Sequence, residues 1–96
     1  MPSLKQLEHF LALAENGNMT KLSEERFISQ TALSNSIARL EAELGVKLFD
    51  RVGRNIVLNE YGKAFLQYVG PAINSLAMGQ QVLESMRTKA PMNVSV

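Results

Sequence analysis

Cysteine and tryptophan are absent from the 96 residues, and histidine occurs once, as His9. Without cysteine there is no disulfide framework and no thiolate metal site. One histidine rules out a histidine-rich metal cluster, and any Ser-His triad that does not use His9. No run is long and apolar enough to span a membrane. The N-terminus lacks the basic-then-apolar pattern of a signal peptide, so a cytoplasmic chain is expected. Charge of one sign is scarce as well. The formal net charge is +1, which does not announce a nucleic-acid binder. Within 47–54, however, Lys47, Arg51 and Arg54 face only Asp50. Any phosphate binding must therefore come from local geometry, not from a broad basic field. A chain this short has a thin core, which oligomerisation would help to complete.

What is present is a succession of helix signals. Ser3 with Gln6 has the spacing of a capping box. Leu4, Leu7, Phe10, Leu11 and Ala14 follow as an apolar stripe. Asn16-Gly17-Asn18 ends that helix, with Gly17 suited to a left-handed turn. A short second helix is expected after Thr20, through about Arg26. Phe27-Ile28-Ser29 forms a tight turn, and Ser29 caps a third helix that Gly45 stops. Residues 47–51 and 55–58 read as two short strands joined by Val52-Gly53-Arg54. Asn59 looks like the cap of a last helix running from Glu60 to about Thr88. Its apolar positions are Tyr61, Phe65, Tyr68, Ala72, Leu76, Leu83 and Met86. At a rise of about 1.5 Å per residue it would be roughly 40 Å long, more than the small domain before it can cover. Pro71 should kink it.

The third helix poses the functional question. Leu33, Ile37, Leu40 and Leu44 fall within about 60° on a helical wheel. The opposite side carries Thr31, Ser34, Asn35, Ala38, Arg39 and Ala42. These side chains are short and hydrogen-bonding, and Ser, Thr and Asn are indifferent helix formers. Such a face can lie close to another surface, and the major groove of DNA admits a helix and presents donors, acceptors and thymine methyls. The helix N-terminus also suits phosphate. Equally, Ser and Thr could simply cap and fill a solvated surface; on this helix alone both readings stand open.

The neighbouring elements decide between them. Helix, tight turn, helix, then a hairpin carrying Arg51 and Arg54, is a mainly α winged helix-turn-helix, three helices plus a two-stranded wing, followed by a long dimerisation or linker helix. The string SQTALSNSIARLEAELGVKLFDRVGR resembles the signature of LysR-type transcriptional regulators, as do LEHFLALAENGNMTKLSEERF before it and LNEYGKAFL after it. The resemblance covers residues 3 to about 90. It implies a DNA-binding domain over 1–59 and a linker and dimerisation helix over 60–89. It also implies that 90–96 begin an effector-binding domain, so that the chain is a fragment of a longer regulator. Double-stranded DNA is the implied partner, as an imperfect palindrome. The implied assembly is a homodimer through 60–88, with higher oligomers in the full-length protein. A small-molecule effector is expected only in the missing domain, and no cofactor, metal or membrane is expected.

Carried over residue by residue, the resemblance places Gln30, Thr31, Ser34 and Asn35 where family members meet bases or phosphates. Arg39 lies one turn further, toward the backbone. Arg54 sits at the wing tip, where the family enters the minor groove. Arg51 has two readings, a DNA contact or a structural ion pair with helix acids. Four positions depart from the family pattern. Asn35 replaces the usual Arg or Lys, which implies weaker nonspecific binding and a flatter salt dependence. Leu22-Ser23 replace a pair of alanines. Arg26 stands where the family buries a leucine, so either Phe27 takes that core contact or Arg26 snorkels outward.

Other classes fit less well. Glu41 with Glu43, and Glu24 with Glu25, are carboxylate pairs without a pocket or a histidine. Gly53 and Gly62 lie in no phosphate-loop motif, so no enzyme is expected. A pure helical scaffold would explain the last helix but needs neither the bare face of helix three nor a basic wing. Another winged-helix family, MarR-like or molybdate-responsive, is the nearer alternative, and the SQ, S, LE, LG, LF, R spacing argues against it.

Overall fold

A computed structural model of the chain describes residues 2–53 and 55–89. The order is α1 (Leu4–Asn16), α2 (Met19–Glu25), α3 (Gln30–Leu44), β1 (Phe49–Val52), β2 (Asn55–Leu58) and α4 (Glu60–Lys89). This is the winged helix-turn-helix with a long terminal helix that the sequence implies. The expectation for 90–96 lies outside the described residues.

Local caps set most of the boundaries. The Ser3 hydroxyl accepts from the Gln6 N–H while the Gln6 side chain accepts from the Ser3 N–H, a complete capping box. Gly17 at φ 73° and Gly45 at φ 80° end α1 and α3 in the left-handed conformation. Ser29 caps α3 through the Ala32 N–H, at 3.0 Å. The second helix starts earlier than expected. Asn18 caps it by accepting from the Lys21 N–H at 2.9 Å, so Gly17 alone terminates α1.

Phe27 does not enter the core. It is 95% exposed. Arg26 is exposed too and closes α2 as its last, half-helical residue. The Ile28 N–H donates to the Ser23 carbonyl at 3.0 Å, and the Phe27 N–H donates to the Glu24 carbonyl at 3.4 Å. That bond pattern is a Schellman motif, and it forces the residue after the helix into the left-handed region. Here that residue is Phe27, at φ 55°. A β-carbon is disfavoured there by roughly 1–2 kcal/mol. Phe27→Gly is therefore expected to stabilise the chain by about 1 kcal/mol and raise its thermal midpoint by about 4–8 °C. A lowered midpoint would mean that the ring is covered in solution.

The core gathers Phe10, Leu13, Leu22, Leu33, Ile37, Leu40, Leu48, Ile56 and Val69. Phe10 is its hub, with ring centroids 5.5 Å from Phe49 and 5.3 Å from Phe65. The apolar face of α1 is wider than the expected stripe: Phe10 is buried and Leu7 and Leu11 pack against the core, but Ala12 and Leu13 are buried as well, and Leu4 is 44% exposed. The first strand is also displaced. Lys47 and Leu48 stay outside it because their backbone has other partners. The Glu41 carboxylate accepts the Leu48 N–H at 2.7 Å, and the Asn59 N–H donates to the Leu48 carbonyl at 3.0 Å. Val52 belongs to β1 and pairs with Asn55, in an antiparallel register that runs back to Phe49 and Leu58. A backbone bond ties this wing to the helices, from the Ile56 N–H to the Gly17 carbonyl at 3.2 Å.

Asn59 caps α4. Its side-chain oxygen accepts the Gly62 N–H at 2.9 Å, and its amide donates to the Lys47 carbonyl at 2.9 Å. The helix then runs without a break through Pro71. Its buried face shares only Phe65 with the expected stripe. Gly62 and Val69 are buried, and Phe65, Leu66 and Ile73 are partly buried. Tyr61 and Tyr68 are 60% and 75% exposed. Two apolar faces share this helix, about 100° apart, and the domain covers the one begun by Gly62. A β-carbon at Gly62 would overlap the Leu48 carbonyl oxygen and stand 2.6 Å from a Leu58 methyl. Gly62→Ala should cost about 1–3 kcal/mol of stability, the usual penalty of overpacking. Denaturant unfolding would measure it, and an unchanged midpoint would mean that α4 docks differently.

Candidate nucleic-acid interface

The interface is built where α3 leaves the helix-turn-helix turn. The apolar residues Leu33, Ile37 and Leu40 fix the rotation of this helix by burying one side of it. Gln30, Thr31 and Asn35 are then exposed, and Ser34 is half-buried at the edge. The Ser29 hydroxyl satisfies the Ala32 N–H. The amides of Gln30 and Thr31 lie in the same first turn, where a helix has no internal acceptors for its N–H groups.

An open concavity of about 360 Å³ lies beside this turn. Gln30, Thr31, Ser34, Asn35 and Arg51 all border it, five of the seven site residues expected from the sequence. Asn18 and Thr20 close it from the start of α2. Those two were missed by sequence reasoning, which placed the helix start after Thr20. The spacing of Asn18 to Lys21, a cap with its acceptor three residues ahead of the N–H it binds, was the available signal.

Arg51 comes from β1 and is exposed. Among the described residues it makes no ion pair. Of its two sequence readings, the structural ion pair with helix acids is therefore not the one observed. Glu41 is occupied elsewhere, holding the Leu48 N–H with Lys47 at 4.0 Å. Arg39 does not border the wing-side concavity. It lines a separate groove toward α1, which it shares with Asn35. Arg54 lies outside the described residues.

His9 packs behind α3. Its Nδ1 and the Ser36 hydroxyl are 2.8 Å apart. Burial pushes the imidazole below its ordinary value, and the positive charges of Lys5 and Arg26 add to that, against a smaller opposing effect of Glu8. At neutral pH His9 is thus an uncharged hydrogen-bonding residue. Among the described residues no group of three or more His, Cys, Asp or Glu side chains is placed to hold a metal. Among the described residues no helix is long and apolar enough to cross a membrane.

A rotationally fixed helix with a short polar face, flanked by a two-stranded wing, defines the chain as a winged helix-turn-helix domain. It belongs to the LysR family. The family described as bacterial regulatory helix-turn-helix protein, lysR family, matches residues 4–63. The chain is 45% identical over 82 residues to the uncharacterised HTH-type transcriptional regulator YybE of Bacillus subtilis, covering 85% of this chain and 28% of that protein. It is 39% identical over 85 residues to the RuBisCO operon transcriptional regulator of Allochromatium vinosum, covering 88% and 28%. It therefore spans 28% of the length of both relatives. Among solved structures, the BenM DNA-binding domain in complex with catB site 1 DNA superposes with a TM-score of 0.83 at 28% identity, covering 88% of this chain and 94% of that one. The CbnR DNA-binding domain in its DNA complex superposes with a TM-score of 0.79 at 30% identity, covering 88% and 98%.

Proposed function

We propose that this chain is the DNA-reading part of a homodimeric LysR-type transcriptional regulator, acting in the cytoplasm on a short, imperfectly palindromic operator without a catalytic step. The observation that carries the reading is the concavity in which the first turns of α3 stand beside Arg51 of the wing. Residues 1–59 form the reading unit and 60–89 the dimerisation helix.

The chemistry divides by residue. Gln30 and Asn35 carry amides, which pair with the N6 and N7 edge of adenine; Gln30 can alternatively bind a phosphate. Thr31 and Ser34 supply short hydroxyls for base edges or phosphates. Arg51 and Arg39 supply charge to the backbone, and Arg54, between the two strands in the sequence, the minor-groove contact, because narrow A·T segments attract arginine. Asn35 brings no charge, so sequence-independent affinity is modest and its salt dependence shallow.

The dimer reading rests on α4. From Asn74 to Thr88 every residue is exposed. Leu76, Val82, Leu83 and Met86 are 55–66% exposed along this stretch. An isolated helix of that length is marginal in water, so a partner surface must support it. Tyr61 and Tyr68 continue the same face onto the domain, where they border an apolar groove with Leu44, Val46 and Leu48. A second copy of α4, running antiparallel, covers both parts at once. Two recognition helices then enter successive major grooves about 34 Å apart.

The test is selection of bound sequences from a random duplex library, at two salt concentrations. Enrichment of a two-fold motif with A·T-rich flanks supports the reading and supplies the operator. Recovery of no motif at either salt concentration would overturn it.

A further inference from the structure

A second groove, of about 620 Å³, runs along the other edge of α3. Lys5 and His9 border it from α1, and Asn35, Ser36, Arg39 and Glu43 from α3. Asn35 borders this groove and the wing-side concavity together. The two are therefore the two flanks of one helix. A surface that meets Asn35 reaches both.

A helix lying in the major groove has a sugar-phosphate strand on each side of it, because the groove is only about 12 Å wide. The wing side carries Arg51. On the opposite flank, Lys5 and Arg39 are exposed, come from different helices and line one depression. Neither makes an ion pair among the described residues. His9 and Ser36, 2.8 Å apart, join the two helices across the depression and hold its walls in register. One carboxylate opposes the cations: Glu43, which accepts from the Gln6 amide at 3.4 Å.

We propose that the groove between α1 and α3 is a second phosphate-contact track, in which Lys5 and Arg39 neutralise backbone phosphates on the strand opposite the wing. This rests on the DNA-reading role of α3 and adds α1 to the interface. Lys5 carries no base specificity in it. The track supplies charge on the flank of a recognition helix whose central position is the uncharged Asn35.

Phosphate contacts leave a signature that base contacts do not. Each one removed lowers the slope of log affinity against log salt by about 0.9, and it does so on every sequence. Lys5→Ala is expected to lower the slope by that amount and to weaken binding equally on a selected operator duplex and on a random-sequence duplex. Lys5→Glu should weaken both further. Glu43→Gln should act in the opposite direction and strengthen binding to both duplexes, which loss of a merely structural residue would not do. Thermal melting of each variant checks that the fold is retained. Unchanged affinity and slope in Lys5→Ala and Lys5→Glu, with Arg51→Ala still weakened, would overturn the track while leaving the role of α3 intact. If no duplex binds the unsubstituted chain at low salt, the DNA reading and the track fall together. A loss confined to the operator duplex would also overturn the track, because it would make Lys5 a base reader.

Discussion

Ser34→Glu is expected to abolish operator binding while the fold survives. Ser34 is half-buried on the first turns of α3, and it borders the wing-side concavity together with Gln30, Thr31 and Arg51. A hydroxyl there can donate to a phosphate or base edge. A carboxylate at the same place can only accept, and it stands against a polyanion. Like charges brought together at an interface cost several kcal/mol, and about 3 kcal/mol already weakens binding more than 100-fold. The helix itself has no reason to fail. Glutamate is a better helix former than serine, and an acidic group in the first turn or so of a helix interacts well with its dipole. The measurement is a binding titration on the selected duplex, paired with a thermal melt. Ser34→Ala serves as the mild control, losing a hydrogen bond worth about 1 kcal/mol. Full binding by Ser34→Glu would show that α3 is not the reader, whatever the fold resembles.

The parts of this structure that were legible in the sequence are those decided within a few residues. Ser3 with Gln6, Ser29, Gly45 and Asn59 each fix a helix end through a bond spanning three or four positions, and all four act at the positions their spacing indicates. Asn16-Gly17-Asn18 was harder, because one short string does two jobs. Gly17 closes α1 and Asn18 opens α2, and a reading that gives all three residues to one terminus loses the start of the next helix. The boundaries of β1 were misplaced for a different reason. Lys47 and Leu48 have strand-like composition, but Glu41 and Asn59 take their backbone groups from elsewhere in the chain. Nothing in the local pattern reveals such competition.

Faces were legible only where one side of a helix is apolar. On α3 a single apolar side exists, so its buried residues and its free face could both be named. On α4 two apolar faces lie side by side, and the sequence does not say which one the chain covers itself. Gly62 settles that by allowing the helix to approach the Leu48 backbone, a contact between segments that only the folded chain brings together. The same limit applies to the candidate interface. The free face of α3 could be listed from its spacing, and the resemblance to LysR-type regulators added Gln30 and the wing arginines. The placement of Lys5 and His9 beside α3 could not, because it depends on how α1 crosses α3.

The unclaimed face of α4 leads to the second large effect. Replacing both Leu76 and Leu83 by lysine is expected to convert the proposed dimer to monomers. The two side chains are seven residues apart, and both are more than half exposed in the single chain. On a helix, that spacing returns nearly to the same direction, so the pair marks one seam. Neither belongs to the core or to the apolar residues packed against it, and the substitution should therefore leave the unfolding of residues 4–58 close to unchanged. In a symmetric dimer each substitution is counted twice, which places four buried charges in one interface. Burying unpaired charge costs several kcal/mol each, more than a short helical seam can supply. Sedimentation velocity would report the mass directly. DNA binding should fall with it, because joining two reading units raises the affinity for paired half-sites by about 10²–10⁴ through effective concentration alone. A single half-site duplex, by contrast, should bind the variant almost as well as the unsubstituted chain. That contrast separates loss of assembly from damage to the reader. A variant that remains dimeric would place the interface elsewhere, and the exposed helix from Asn74 onward would then require a different partner.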